Sequence, residues 1–160
     1  MIELTLITVG KLKEKFYQEA SAEYIKRLGA YCRFNIIELG EEKRSRDPSQ
    51  REIETALEKE GEAILRSVPR GAALCAMCVE GRELTSPELA RALENLGREG
   101  GGKVCFVVGG SDGLAPAVKA QASLRLSMSR MTFPHHLARV MLLEQLYRAL
   151  NISAGGHYHK

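Results

Sequence analysis

The sequence predicts a single-domain α/β protein with a mainly parallel sheet flanked by helices. Three observations carry that expectation. Strand-like and helix-like segments alternate along all 160 residues, the pattern of folds in which helices cross over between strands. Within KVCFVV (Lys103 to Val108) the apolar run is unbroken after the lysine, as in strands buried on both faces of a parallel sheet. No long linker, repeat or low-complexity tract divides the chain, and this length suits one core.

The elements follow in order. IELTLITV (Ile2 to Val9) has the β-branched content of a strand. The next stretch places Phe16, Ala20, Tyr24 and Leu28 at helical spacing with charges between them, so a helix is expected from about Glu14. CRFNIIEL (Cys32 to Leu39) is a second strand. A polar loop through Asp47, Pro48 and Ser49 leads into a charged amphipathic helix to about Val68. ALCAMCVEG gives a third strand ending at Gly81. In LTSPELARALENLGREG, Ser86 is the expected N-cap, with Pro87 at the first helical position and Glu88 in the first turn, and glycines 100 to 102 close the helix. KVCFVV is the fourth strand. GGSDGL then breaks the chain, APAVKAQA forms a short helix, SLRLSMS a short strand, and a last helix starts at about Phe133.

That last helix has rows Leu137, Val140, Met141, Glu144 and Val140, Leu143, Tyr147, Leu150 at intervals of three and four, so apolar residues cover more than one face. Such a helix needs burial twice, and a homodimer interface is the economical second partner. The segment SAGGHYHK, expected to flex at Gly155 and Gly156, would carry His157, Tyr158, His159 and Lys160 toward the partner's pocket.

Composition narrows the function classes. The longest apolar run, Ala72 to Val79, is far below the ~20 residues of a membrane helix, and MIELTLITVGKLKEK lacks the marks of a signal peptide. A soluble cytoplasmic protein is expected. Net charge is only +3, but from Gly101 onward seven Lys/Arg face two acids, and all four histidines lie there. A polyanion-binding face needs such a concentration, although a solvated surface reads the same way. Cys32, Cys75, Cys78 and Cys105 read as free thiols. Cys75 and Cys78 are three apart in a strand, point to opposite faces, and do not suit one metal.

In parallel sheets ligands sit beyond the carboxyl ends of strands, which nominates the loops EGRELTS, GGSDGL and SMSRMTFPHH. The turn Gly109 to Gly113 is neither a Walker loop nor GxGxxG, and reads equally as ligand pocket or tight turn. Asp47 and Asp112 are the only aspartates, and no pair of acids falls in these loops with the spacing of a metal or glycosidase site, which disfavours two-metal and paired-carboxylate hydrolysis. GGSDG is not GxSxG. The loop from Ser127 to His136 interleaves methionines and a phenylalanine with hydroxyls, suiting an aromatic or thioether-bearing ligand, or simply capping the helix.

The opening ITVGKLKEKFYQEASAEYIKRLGAYCRFNIIEL, the centre FVVGGSDGL, and the close SMSRMTFPHHLARVMLLEQLYRALNI with YHK resemble the ribosomal RNA large subunit methyltransferase H family of the SPOUT methyltransferases. The resemblance spans the chain, in three motifs that agree in order and spacing. It implies a single trefoil-knotted SPOUT domain over residues 1–160 without an appended RNA-binding domain, S-adenosylmethionine as methyl donor, and a homodimer. The implied reaction is N3-methylation of a pseudouridine, position 1915 of 23S ribosomal RNA, on the assembled ribosome; no metal and no membrane enter.

Carried over by position, the family's cofactor contacts fall on Met77, Gly109, Gly110 and the loop Met128, Ser129, Arg130, Met131, Thr132 and Phe133. The family more often has leucine at Met77 and phenylalanine at Met128, changes that keep an apolar wall. It commonly reads NRGEPYHK where this chain reads NISAGGHYHK, without the arginine. For removal of the N3 proton, His159 beside Tyr158 is the expected base, with His135 behind it; solvent is the alternative. Arg130, Arg139, Arg148 and Lys160 are the expected phosphate contacts. A silent RNA-binding homodimer shares the basic segment, whereas a dinucleotide oxidoreductase is opposed by VGKLKEK after the first strand, with one glycine.

Overall fold

A computed structural model describes residues 1–160. Five strands, β1 (Ile2–Val9), β2 (Cys32–Leu39), β3 (Ala73–Glu83), β4 (Lys103–Val108) and β5 (Leu124–Ser127), alternate with five helices. These are α1 (Lys15–Leu28), α2 (Gln50–Ser67), α3 (Ser86–Glu99), α4 (Pro116–Gln121) and α5 (His135–Ser153). The sheet order is β2-β1-β4-β3-β5, with every neighbouring pair parallel. No helix is long and apolar enough to cross a membrane.

Strand alternation builds two cores. In β1 and β4, Leu4, Leu6, Val104 and Phe106 face the layer that contains α1, α3 and α5, against Leu28, Leu93 and Leu143. Their neighbours Ile7, Val9, Cys105 and Val107 face α2 and α4, against Ile64 and Val118. Both faces of the central strands are thus covered, which is why KVCFVV carries no polar alternation.

Three boundaries differ from the expectation, each for a physical reason. Thr85, not Ser86, caps α3. Its hydroxyl accepts from the Glu88 backbone N–H at 3.3 Å while Glu88 accepts from the Thr85 N–H at 2.7 Å, a reciprocal capping box. Ser86 is freed to donate to Gln145 Oε1 of α5 at 2.7 Å. The third strand runs past Gly81 to Glu83 because Met77 and Arg82 both pair with Leu126, leaving Cys78 to Gly81 as a bulge. Gly81 is required there, since a Cβ would lie 2.8 Å from the Arg125 backbone. Finally, α5 begins at His135 with Pro134 as its N-cap, so Met128 to Pro134 form a free-standing loop.

Candidate active site

The β3 bulge and the loops after β4 and β5 converge at the carboxyl ends of their strands around a cavity of about 350 Å³. Met77, Leu126 and Met128 give it apolar wall, Gly109 and Gly110 give it main chain, and Ser129 and Thr132 give it hydroxyls. Met131, Phe133 and His135 complete the mouth. A Cβ at Gly109 would lie 2.3 Å from the Gly113 carbonyl oxygen, and Gly113 has φ +80°, so the glycine turn is tight, and its main chain also lines the cavity. In the next loop Ser127 Oγ donates to the Ser129 carbonyl at 2.9 Å and the Met131 N–H donates to Ser129 Oγ at 3.0 Å. These bonds fix an irregular segment that has no ladder of its own.

The loop after β2 braces this wall through a side chain that sequence reasoning missed. Arg44 Nε lies 2.6 Å from Asp112 Oδ2, and its Nη1 donates to Glu60 Oε2 at 3.1 Å. Glu60, buried in α2, also accepts from the Glu42 backbone N–H at 2.9 Å. A buried carboxylate needs such partners. Its position among the apolar residues of α2 was the available signal.

His135 is the one histidine that lines the cavity. Burial, and then the neighbouring His136 with ring centroids 4.0 Å apart, hold its pKa below the ordinary histidine value. A neutral imidazole results at physiological pH, able to accept a proton. Cys78 also lines the cavity, directed there by the bulge, whereas Cys75 is fully buried in the core with α3 and α5.

The remaining expected site residues lie elsewhere. The segment from Ala154 to Lys160 packs on its own α5 and none of it lines the cavity. Tyr158 donates its backbone N–H to Asn151 Oδ1 at 3.1 Å and its hydroxyl to Glu144 Oε1 at 3.0 Å. Burial and that bond raise the Tyr158 hydroxyl above its ordinary range, so it stays protonated. Gly156 is a close approach rather than a hinge, because a Cβ would lie 2.3 Å from Asn151 Nδ2. Arg130 does not line the cavity. It is exposed, 3.9 Å from Glu83.

Two expected phosphate contacts are corrected. Arg139 is 2% exposed and is spent on Glu38 and the Gly10 carbonyl, so it cannot meet a phosphate. Arg148 is bound twice by Glu144 and lies over the Tyr158 ring. Arg130 and Lys160 stay exposed.

Apolar walls alternating with main-chain edges and hydroxyls fit a ligand with a flat heteroaromatic ring and a thioether-like centre, as S-adenosylmethionine has. Comparisons with known proteins agree in direction. The model of a family described as "Predicted SPOUT methyltransferase" matches residues 2–159. Proteins named ribosomal RNA large subunit methyltransferase H are similar over 99% of this chain and 100% of their own lengths. Those from Clostridium beijerinckii, Bacillus pumilus and Clostridium acetobutylicum are 46%, 48% and 49% identical. A solved putative methyltransferase from Legionella pneumophila, in complex with SAM, is 11% identical over 95% of this chain and 66% of its own, with a TM-score of 0.49. That likeness is too distant to carry an argument.

Proposed function

The chain belongs to the SPOUT methyltransferases, in the ribosomal RNA large subunit methyltransferase H family, and from that premise we propose that it methylates N3 of the pseudouridine at position 1915 of 23S ribosomal RNA. S-adenosylmethionine is the methyl donor and the assembled ribosome the substrate. The observation that carries this reading is the cavity at the ends of β3, β4 and β5, where apolar wall and main-chain edge alternate.

Bound there, S-adenosylmethionine supplies an electrophilic methyl group. The protein's own contribution is placement and proton handling. Met77, Leu126 and Met128 exclude water from one side of the site, and the Gly109–Gly110 main chain hydrogen-bonds polar edges without side-chain entropy. Holding the target nitrogen in line accounts for most of the rate in such displacements. His135, neutral and at the cavity mouth, accepts the N3 proton.

The unit is a homodimer in the cytoplasm. Half-buried Leu137, Val140 and Met141 on α5, with exposed Met131 at the mouth, support a second copy that covers them. That copy's Tyr158–Lys160 segment, absent from this chain's cavity, closes the site. The family's trefoil knot is part of the same reading. Exposed Arg130 and Lys160 supply the salt-dependent phosphate contacts.

The test is methyl transfer from labelled S-adenosylmethionine to ribosomes lacking the modification, with naked ribosomal RNA in parallel and the product nucleoside identified by mass. Label on N3 of a pseudouridine in intact ribosomes is the expected result. Cofactor binding without label would overturn the target, and no cofactor binding would overturn the enzyme.

A further inference from the structure

We propose that Arg148 fixes His159 as the tautomer that donates from Nε2, so that the tail presents a hydrogen-bond donor to a carbonyl oxygen beside N3 of the target base, not a general base. The proposal rests on the methyltransferase reading above. It makes Arg148 a positioning residue for a chemical role different from the one the sequence suggested for His159.

Glu144 anchors the arrangement. Its Oε1 accepts from Arg148 Nε at 2.9 Å and from Nη2 at 2.7 Å, and also from the Tyr158 hydroxyl at 3.0 Å. The guanidinium is therefore locked on one edge, and its centre lies 4.5 Å from the Tyr158 ring centroid. The remaining nitrogen, Nη1, is 3.2 Å from His159 Nδ1. A guanidinium has five N–H donors and no acceptor, and the bond to Glu144 holds Arg148 still more firmly in its charged form. Nδ1 must then accept, which puts the proton of the neutral ring on Nε2. The ring keeps no free lone pair with which to take a proton from substrate.

The tail is held where this contact forms. Asn151 Oδ1 accepts the Tyr158 N–H at 3.1 Å, Asn151 Nδ2 donates to the Tyr31 hydroxyl at 3.0 Å, and the Gly156 N–H donates to the Asn151 carbonyl at 2.9 Å. Tyr158 also meets Tyr147 edge-on at 4.8 Å between centroids. A donor aimed beside N3 is chemically useful. When the N3–H bond breaks, its electron pair spreads onto the two flanking carbonyl oxygens, and a placed N–H stabilises that charge. His159 takes no proton; a separate acceptor does.

The experiment has two arms. In the first, the tautomer of His159 in the intact wild-type protein is read from ring nitrogen shifts at mildly alkaline pH. An unprotonated Nδ1 and a protonated Nε2 are expected, and Arg148→Met should scramble them; the opposite tautomer overturns the proposal. In the second, methyl transfer is compared for folded variants. His159→Gln keeps a donor near Nε2 but cannot serve as a base. It should retain kcat within about threefold of wild type and the wild-type pH profile. His159→Ala should lose about a hundredfold in kcat, the scale of one oxyanion donor, with KM for the cofactor unchanged. His159→Gln as inactive as His159→Ala would overturn the proposal. An inactive wild-type enzyme would instead overturn the methyltransferase reading, while the tautomer arm would still decide the geometry.

Discussion

The guanidinium of Arg139 lies 2.8 Å from Glu38 Oε2 and 2.9 Å from the Gly10 carbonyl oxygen, tying α5 to the ends of β2 and β1. Glu38 is a third exposed, which lowers the value of the pair below that of a fully buried one. Arg139→Leu should therefore destabilise the fold by about 2–3 kcal/mol, read as a drop in the urea midpoint. It should leave the salt dependence of ribosome binding unchanged. Arg130→Gln should do the reverse, cutting the slope of log affinity against log salt by about one with no change in stability.

Arg44 sits between Glu60, which is 4% exposed, and Asp112 of the glycine turn. Arg44→Ala should cost about 3–5 kcal/mol, because it strands a buried carboxylate. The Arg44→Met, Glu60→Met pair should recover most of that loss. Cofactor affinity should stay weakened in the double variant, since Asp112 has lost its brace. Denaturation and cofactor titration on the same samples separate the two effects.

Gly156 and Asn151 should be coupled. Gly156→Ala forces a Cβ to within 2.3 Å of the Asn151 amide and should release the tail, seen as lost hydrogen-exchange protection of the Tyr158 amide. On an Asn151→Gly background the obstruction is gone, so adding Gly156→Ala should change little further. Additive effects in this double-mutant cycle would show that the two residues do not meet.

Thiol chemistry should report on the cavity. Burial pushes Cys32 up to about 11 and Cys105 to about 12, and raises Cys75 further, so these three should resist alkylation in the folded protein. Cys78 is raised too, by burial first and then by Glu80, but it is partly exposed and lines the cavity. It should be the first to react, slowly, with the rate rising toward alkaline pH. S-adenosylmethionine should slow its labelling, measured by peptide mass.

His135 should set an acid limb. Its folded pKa lies below the ordinary value because burial and His136 disfavour the cation. Between those two values the unfolded chain takes up the proton first, so stability contributed by neutral His135 falls as pH drops through about 6.5. The rate, set by the folded protein, should hold through that point and fall only at the lower, folded value. His135→Gln should flatten the stability loss and remove the acid limb, leaving a rate limited by slower proton transfer.

Much of the fold was legible because local pattern and tertiary demand agree. Ile2–Val9, Cys32–Leu39 and Lys103–Val108 are strands at the expected boundaries, the first and last because they are apolar enough for the sheet's centre, and Cys32–Leu39, an edge strand with only Cys32 buried, because its β-branched content suits pairing. The departures occur where two residues compete for one role. Thr85 and Ser86 both suit an N-cap, and only the proximity of Gln145 on α5 assigns Ser86 elsewhere. The bulge at Cys78 to Gly81 was invisible because it depends on how closely β5 approaches Gly81.

The site divides in the same way. By itself the sequence determined the alternating α/β architecture, the cavity loops and the family, because periodicity, glycine turns and motifs are properties of short stretches. Which cations are free is a question of distance between residues far apart in the chain. Arg139 meets Glu38 across 101 positions, and Arg44 meets Asp112 from another loop. Charge in a sequence carries no sign of its partner. Tertiary structure alone decided that Arg139 is structural, that Arg44 braces the cavity, and that Arg148 meets His159.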